Sequence, residues 1–412
     1  MAIEQELARI VAQNVPQPEK IAALTGALGP VSAPRDLCAF LDGLLAGTAG
    51  LVISRPVLSA FVDHVAALAD AGARQSVLEY TLERLQPSLV TYEEQEAVVR
   101  EKLAQIYEAA GQHAQAGATL RGMKLESGQR VISDDYRLQI YVRILRNMLE
   151  ESEAGSDGGA MDQILAAEEY INKAAGLVAR STDEPARVHF KLAQARVFDA
   201  KRRFLDACGK FYELSYSPLI DDDEQTVCLS AAISSALLSP AGPARSRMLA
   251  TLHKDDRIRD TLPVEHSILE KLNFDNLLSA ADVDTFLRDA RKPIKHQHIA
   301  STFSDGSTAV TRAVTEHNLL AASKLYYNIG FSELAALLGL RDSDKAEEYA
   351  ARMIQQGRLV ATIDQIDKLI YFVEMDQDDK GLKQRDAEII DLCRQVEDIA
   401  SLIEQHYPEI TV

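Results

Sequence analysis

From residue 17 to about residue 291 the chain divides into consecutive stretches of helical length, and almost nothing between them reads as strand. The stretches run 17–28, 34–46, 55–71, 74–85, 91–110, 113–126, 133–152, 160–179, 183–201, 204–215, 221–238, 242–253, 263–279 and 281–291. Ordinary breakers separate them: Gly29-Pro30, Ala71-Gly72, Gln86-Pro87, Gly111, Ser239-Pro240 and Lys292-Pro293. Two helix pairs share a small-residue pattern. Leu103-Ala104-Gln105-Ile106-Tyr107 is followed by Gly111 and Ala114-Gln115-Ala116, and Leu192-Ala193-Gln194-Ala195-Arg196 by Phe204, Ala207 and Phe211. Hairpins of this tetratricopeptide-like kind bury one face on each neighbour, so a run of them stacks into an α-solenoid. At 412 residues the chain exceeds one ordinary core.

The pattern changes after a polar stretch, Thr302–Ala309. His317–Asn328 reads as a helix, and Ile329-Gly330-Phe331 as a minimal strand. Ser332 then reads as the N-cap of a short helix burying Leu334, Leu337 and Leu338, which breaks at Gly339-Leu340. A second helix, capped by Ser343, spans Asp344–Gln356 and stops at Gly357. Two β-rich runs follow, Leu359–Ile363 and Leu369–Val373. Helix, turn, helix and hairpin in this order make a winged helix. Glu374–Gly381 is an acidic spacer, and the final helix, about Gln384–His406, places Ile389, Leu392, Val396, Ile399 and Ile403 on one a/d seam. The chain is thus expected to be mainly all-α. A helical arm over 1–295, a winged helix over 300–373, a linker over 374–381 and a C-terminal helix over 382–408 make it up.

Charge removes the usual role of a winged helix. Protein–DNA affinity comes largely from Lys and Arg neutralising phosphates. The helix that would enter a major groove carries Asp342, Asp344, Glu347 and Glu348 against Lys345 and Arg352, and the whole chain has 62 acids to 44 bases, a net charge of −18. Such a field repels a polyanion, so nucleic acid is excluded as a partner. The four cysteines, Cys38, Cys208, Cys228 and Cys393, lack metal-site spacing and read as free thiols of a reducing compartment. No apolar run reaches the ~20 residues of a membrane span, so the expected setting is soluble and intracellular.

Catalytic patterns are equally scarce. There is no GxSxG, P-loop or GxGxxG. His296-Gln297-His298 matches the first element of a zinc isopeptidase pattern, which pairs two histidines and an aspartate on the metal with a glutamate base. The positions that should then carry Ser and Asp hold Gly306 and Ala309. No catalytic, cofactor or metal residue is therefore assigned.

Three segments carry a resemblance: Ser246-Arg247-Met248-Leu249-Ala250-Thr251-Leu252 with Lys254-Asp255, Glu316-His317-Asn318-Leu319-Leu320 with Ala322–Tyr326, and Ile363-Asp364-Gln365-Ile366-Asp367. With a helical array ending in a winged helix, they resemble the PCI family found in the proteasome lid, the signalosome and translation initiation factor three. The signalosome branch is the nearest, and a scaffold of another assembly such as the proteasome lid is the alternative. The resemblance implies a non-catalytic, hetero-oligomeric scaffold, cytoplasmic and nuclear. Its implied partners are other PCI subunits, a metalloprotease-fold pair that holds the catalysis, and a cullin–RING ligase from which a ubiquitin-like modifier is removed. It further implies assembly through sheet edges and C-terminal helices. That places the expected interface at Ile329, Phe331, Leu359, Val360, Ile363, Ile370 and Phe372 of the winged helix and at Ile389, Leu392, Val396, Ile399 and Ile403 of the last helix.

Overall fold

The computed structural model describes residues 9–10, 16–29, 31, 33–46, 50–88, 90–126, 132–154, 160–288, 308–340, 342–372, 389, 392–397 and 399–400. It forms two compact units, one up to Gln225 and one from Thr226.

The first unit opens with α1 (Gln17–Leu28), α2 (Pro34–Leu45), α3 (Leu51–Ala66) and α4 (Ala71–Leu85). It continues with α5 (Glu93–Ala109), α6 (His113–Arg121) and α7 (Asp134–Ala154), then α8 (Ala160–Val178), α9 (Glu184–Ala200) and α10 (Phe204–Leu214). Helices pack in sequential pairs, α5 on α6, α7 on α8 and α9 on α10, and also two places along: α1 on α3, α2 on α4, α3 on α5, α7 on α9. This next-but-one packing is how a solenoid passes its core along. Helix α5 shows the device. Val99, Leu103 and Tyr107 enter the core built by α1–α4, while Ala97 and Ala104 enter the one built by α7–α9. Small residues on the second face let the next layer approach closely.

The boundary between the units falls inside the first turn of α11 (Asp222–Leu238), where every residue from Cys228 to Leu238 is buried, and α12 (Pro243–His253) follows. Next come α13 (Asp256–Thr261), α14 (Pro263–Asn273) and α15 (Ala280–Arg288). The six-residue α13 went unseen in the sequence because it is too short to show a period. The stretch expected as one helix over 263–279 ends at Asn273. Asp275 takes φ 54°, a left-handed conformation that a continuing helix cannot accommodate.

The winged helix follows as α16 (Ala309–Leu325), β1 (Asn328–Gly330), α17 (Phe331–Leu338), α18 (Ser343–Gln355), β2 (Ala361–Asp364) and β3 (Leu369–Phe372). Helix α16 starts earlier than residue 317 because Thr308 and Thr311 make a reciprocal cap, each side chain meeting the other's main-chain N–H. Ser332 does not cap α17; the helix begins at Phe331, with Gly330 in the cap position. Gly339 and Gly357 close α17 and α18 with φ of 70° and 66°, the left-handed stop that only glycine adopts without strain. The antiparallel sheet has the order β1-β3-β2, with Ile329 opposite Ile370 and Ile363 also opposite Ile370. Its core is Leu319, Ala322, Ile329, Phe331, Leu334, Leu338, Ala346, Ala350, Met353, Leu359, Ile370 and Phe372.

Candidate interaction surfaces

Five of the seven winged-helix residues expected at an interface, Ile329, Phe331, Leu359, Ile370 and Phe372, have their side chains in that core. Val360 is exposed, and Ile363 lies half-buried against the core. What the sheet offers outward is mainly its backbone. β3 is central, so β1 and β2 are the two edges. Phe372 N–H donates to the Tyr327 carbonyl (2.9 Å) and Phe331 N–H to that of Lys368 (3.0 Å), so residues 327, 329 and 331 turn their main chain toward β3. An antiparallel ladder alternates, which turns the N–H and C=O of Asn328 outward. On the other side Leu369 and Tyr371 face β2, leaving the main chain of Ala361 and Ile363 outward.

Helix α16 fixes the sheet to the helices before it through three consecutive residues that the sequence offered only as a resemblance. Glu316 receives Arg358 Nη1 at 2.5 Å, with Arg312 Nε at 3.8 Å from its other oxygen. Asn318 accepts from Leu278 N–H and donates to Leu278 C=O, both at 2.9 Å, as a neighbouring strand would. Between them His317 Nε2–H donates to the Asn276 carbonyl at 2.9 Å. Arg245, 4% exposed, caps the carbonyl end of α11 through Ala236 O (3.1 Å) and Leu237 O (3.3 Å). Burial lowers its pKa to about 10, and Glu316 opposes that shift, so the guanidinium stays charged at neutral pH.

Burial, helped by Arg245, lowers the His317 pKa to about 4, below the ordinary 6.5. The unfolded chain therefore takes up a proton between those values while the folded chain does not, and stability falls as pH drops through this window. Moving from pH 7.5 to 5.0 is expected to remove about 2 kcal/mol through this residue. Urea unfolding of a His317→Gln variant at both pH values should show a pH dependence smaller by about that amount. An unchanged pH dependence would exclude the effect.

The described residues of the last helix, 389, 392–397 and 399–400, are helical. Ile389, Leu392, Val396 and Ile399 of its seam are 56–61% exposed; Ile403 lies outside the described residues. The Cys208 thiol is buried and pushed up to about 12, far from a nucleophile. Among the described residues no group of three His, Cys, Asp or Glu side chains is placed to hold a metal ion, and no helix is long and apolar enough to cross a membrane. His296, His298 and Gly306 lie outside the described residues.

A stacked helical arm and a winged helix whose three-stranded sheet ends in the edge strands β1 and β2 are the architecture of a PCI-domain protein. The PCI domain model matches residues 278–374, and the family described as PSMD12/CSN4, N-terminal, matches 28–223. The COP9 signalosome complex subunit 4 of Emericella nidulans is 40% identical over 376 residues, 89% of this chain and 88% of its own length. The Arabidopsis thaliana protein of the same name is 37% identical, covering 87% of each chain. That of Drosophila melanogaster is 36% identical over 90% of this chain and 85% of its own. The chain belongs to the COP9 signalosome complex subunit 4 family.

Proposed function

We propose that this chain is a non-catalytic scaffold subunit of a signalosome, the complex that removes the ubiquitin-like modifier from cullin–RING ubiquitin ligases, in the cytoplasm and nucleus. The observation that carries this is the identity of 36–40% across most of the chain to proteins named as signalosome subunit 4. Winged-helix edges join it to other PCI subunits by adding strand to strand, a mode in which main-chain hydrogen bonds supply affinity. The C-terminal seam joins it to their terminal helices and to the metalloprotease-fold pair, and the helical arm helps to recognise the ligase. Catalysis belongs to the metalloprotease subunit.

The purified chain is accordingly expected to leave a modified cullin intact and to hold no stoichiometric zinc, because Gly306 and Ala309 stand where the metalloprotease pattern needs Ser and Asp. Metal analysis and an isopeptidase assay test this. One tightly held zinc, lost in a His296→Ala/His298→Ala variant, would contradict it.

A further inference from the structure

Helices α4 and α5 pack on each other in the first unit and line a cleft of about 510 Å³. Each gives it one row of side chains. Ala71, Arg74, Gln75 and Leu78 come from α4, and Lys102, Gln105, Ile106 and Ala109 from α5. Steps of three, four and seven residues keep each row on a single helix face. Gly72, at the start of α4, and Ala110, just past the end of α5, add two more small residues to the lining. Arg74 and Lys102 are the charged groups of the cleft, and no carboxylate lines it, although acids outnumber bases 62 to 44 in the chain. The nearby acids are engaged elsewhere: Asp70 caps α4 through Gly72 N–H, and Glu79 is held by Gln75 and Tyr107. Arg74 is half-buried, and its Nε finds no hydrogen-bond partner among the described residues. Other guanidinium groups of this arm do hold carboxylates, Arg100 on Glu96 (2.7 Å), Arg143 on Glu108 (3.1 Å) and Arg196 on Glu150 (3.0 Å).

We propose that this cleft seats an amphipathic helix of a different protein, which lays small apolar side chains on Ala71, Ile106 and Ala109 and sets a carboxylate on Arg74 and Lys102. Charge chooses the occupant. A carboxylate supplies the acceptor that the buried Arg74 Nε lacks, and a donor left unpaired in a covered site is costly. The walls choose its conformation. The main chain of α4 and α5 is consumed in their own helices, so an extended segment would find no backbone partners there, whereas a helix arrives with its N–H and C=O groups already paired. Small residues on the cleft side let a helix axis come within the closer packing distances, about 8 Å. A second copy of this chain fits poorly, because it would bring another net charge of −18 to the contact. The site does not depend on the function proposed above.

The test measures binding of the full-length chain to two labelled, stapled Ala/Leu helices by fluorescence anisotropy. One helix carries Glu along one edge, and the other carries Gln at the same positions. The Glu helix is expected to bind at least about tenfold more tightly, with a gap that narrows as salt is added. Arg74→Gln/Lys102→Gln, which breaks no printed ion pair of the arm, should abolish the preference at an unchanged melting temperature. Lys102→Glu alone should reverse it, and decides the matter if the double variant melts early. Ala109→Trp, at an exposed helix position, should fill the cleft and block both helices. Equal binding of the two helices would overturn the proposal. So would no binding of the Glu helix at its highest soluble concentration, or a preference that survives Ala109→Trp or Lys102→Glu. In the cellular complex, a photoreactive phenylalanine analogue in place of the exposed Gln105 should attach to an acidic helical segment of another protein. Attachment only to a second copy or to this chain's own residues would contradict the assigned occupant.

Discussion

A chain truncated near Gly381 is expected to keep its melting temperature to within a few degrees and to lose incorporation into its complex. The helix beyond that point shows Ile389, Leu392, Val396 and Ile399 largely exposed, so the rest of the chain does not cover the seam at those positions. Burying such a seam on other subunits at about 25 cal/mol per Å² contributes several kcal/mol before the cost of ordering. Removing it takes that energy from assembly and little from folding. Replacing Leu392, Val396 and Ile399 by Asp should act in the same way, since three carboxylates cannot be buried unpaired in an apolar contact. Differential scanning calorimetry and quantification of the purified complex measure the two sides. Normal incorporation of the truncated chain, or collapse of the isolated one, would show that the helix serves its own domain.

The second large effect concerns folding. Asn318→Leu should destabilise the second unit by about 3 kcal/mol, because two main-chain groups of Leu278 lose their partner at once. Leu278 is 4% exposed, so water cannot readily replace the amide. Leucine has nearly the same shape, which keeps cavity formation out of the comparison. Urea unfolding should show the transition of this unit shifted to lower denaturant. A loss below about 1 kcal/mol would mean that the loop re-forms its bonds elsewhere.

Local and long-range signals differ in how far the sequence exposes them. Helices of four turns or more announce themselves by period and by their breakers, so α5, α7 and α9 stand close to where their apolar spacing puts them. Gly339 and Gly357 mark the ends of α17 and α18 because a left-handed stop needs a residue without Cβ. Less visible were features set by contacts distant in the chain. The end of α14 at Asn273 depends on Asn318, some forty positions on, clamping the loop. The start of α17 at Phe331 rather than Ser332 follows from a buried ring that shares the winged-helix core. Interface residues were the least legible. An alternating apolar strand signals a buried face, and Ile329, Ile370 and Phe372 fill the subunit's own core. An edge is a property of strand order, which places β3 in the centre and which no periodicity encodes.

The composition of the complex captured by the full-length chain, tagged and purified from its own cells, tests the central claim most directly. Mass spectrometry should find the remaining signalosome subunits in stoichiometric amounts, and the captured complex should remove the modifier from a cullin. Stoichiometric recovery of a different PCI assembly, or of the chain by itself, would contradict the assignment.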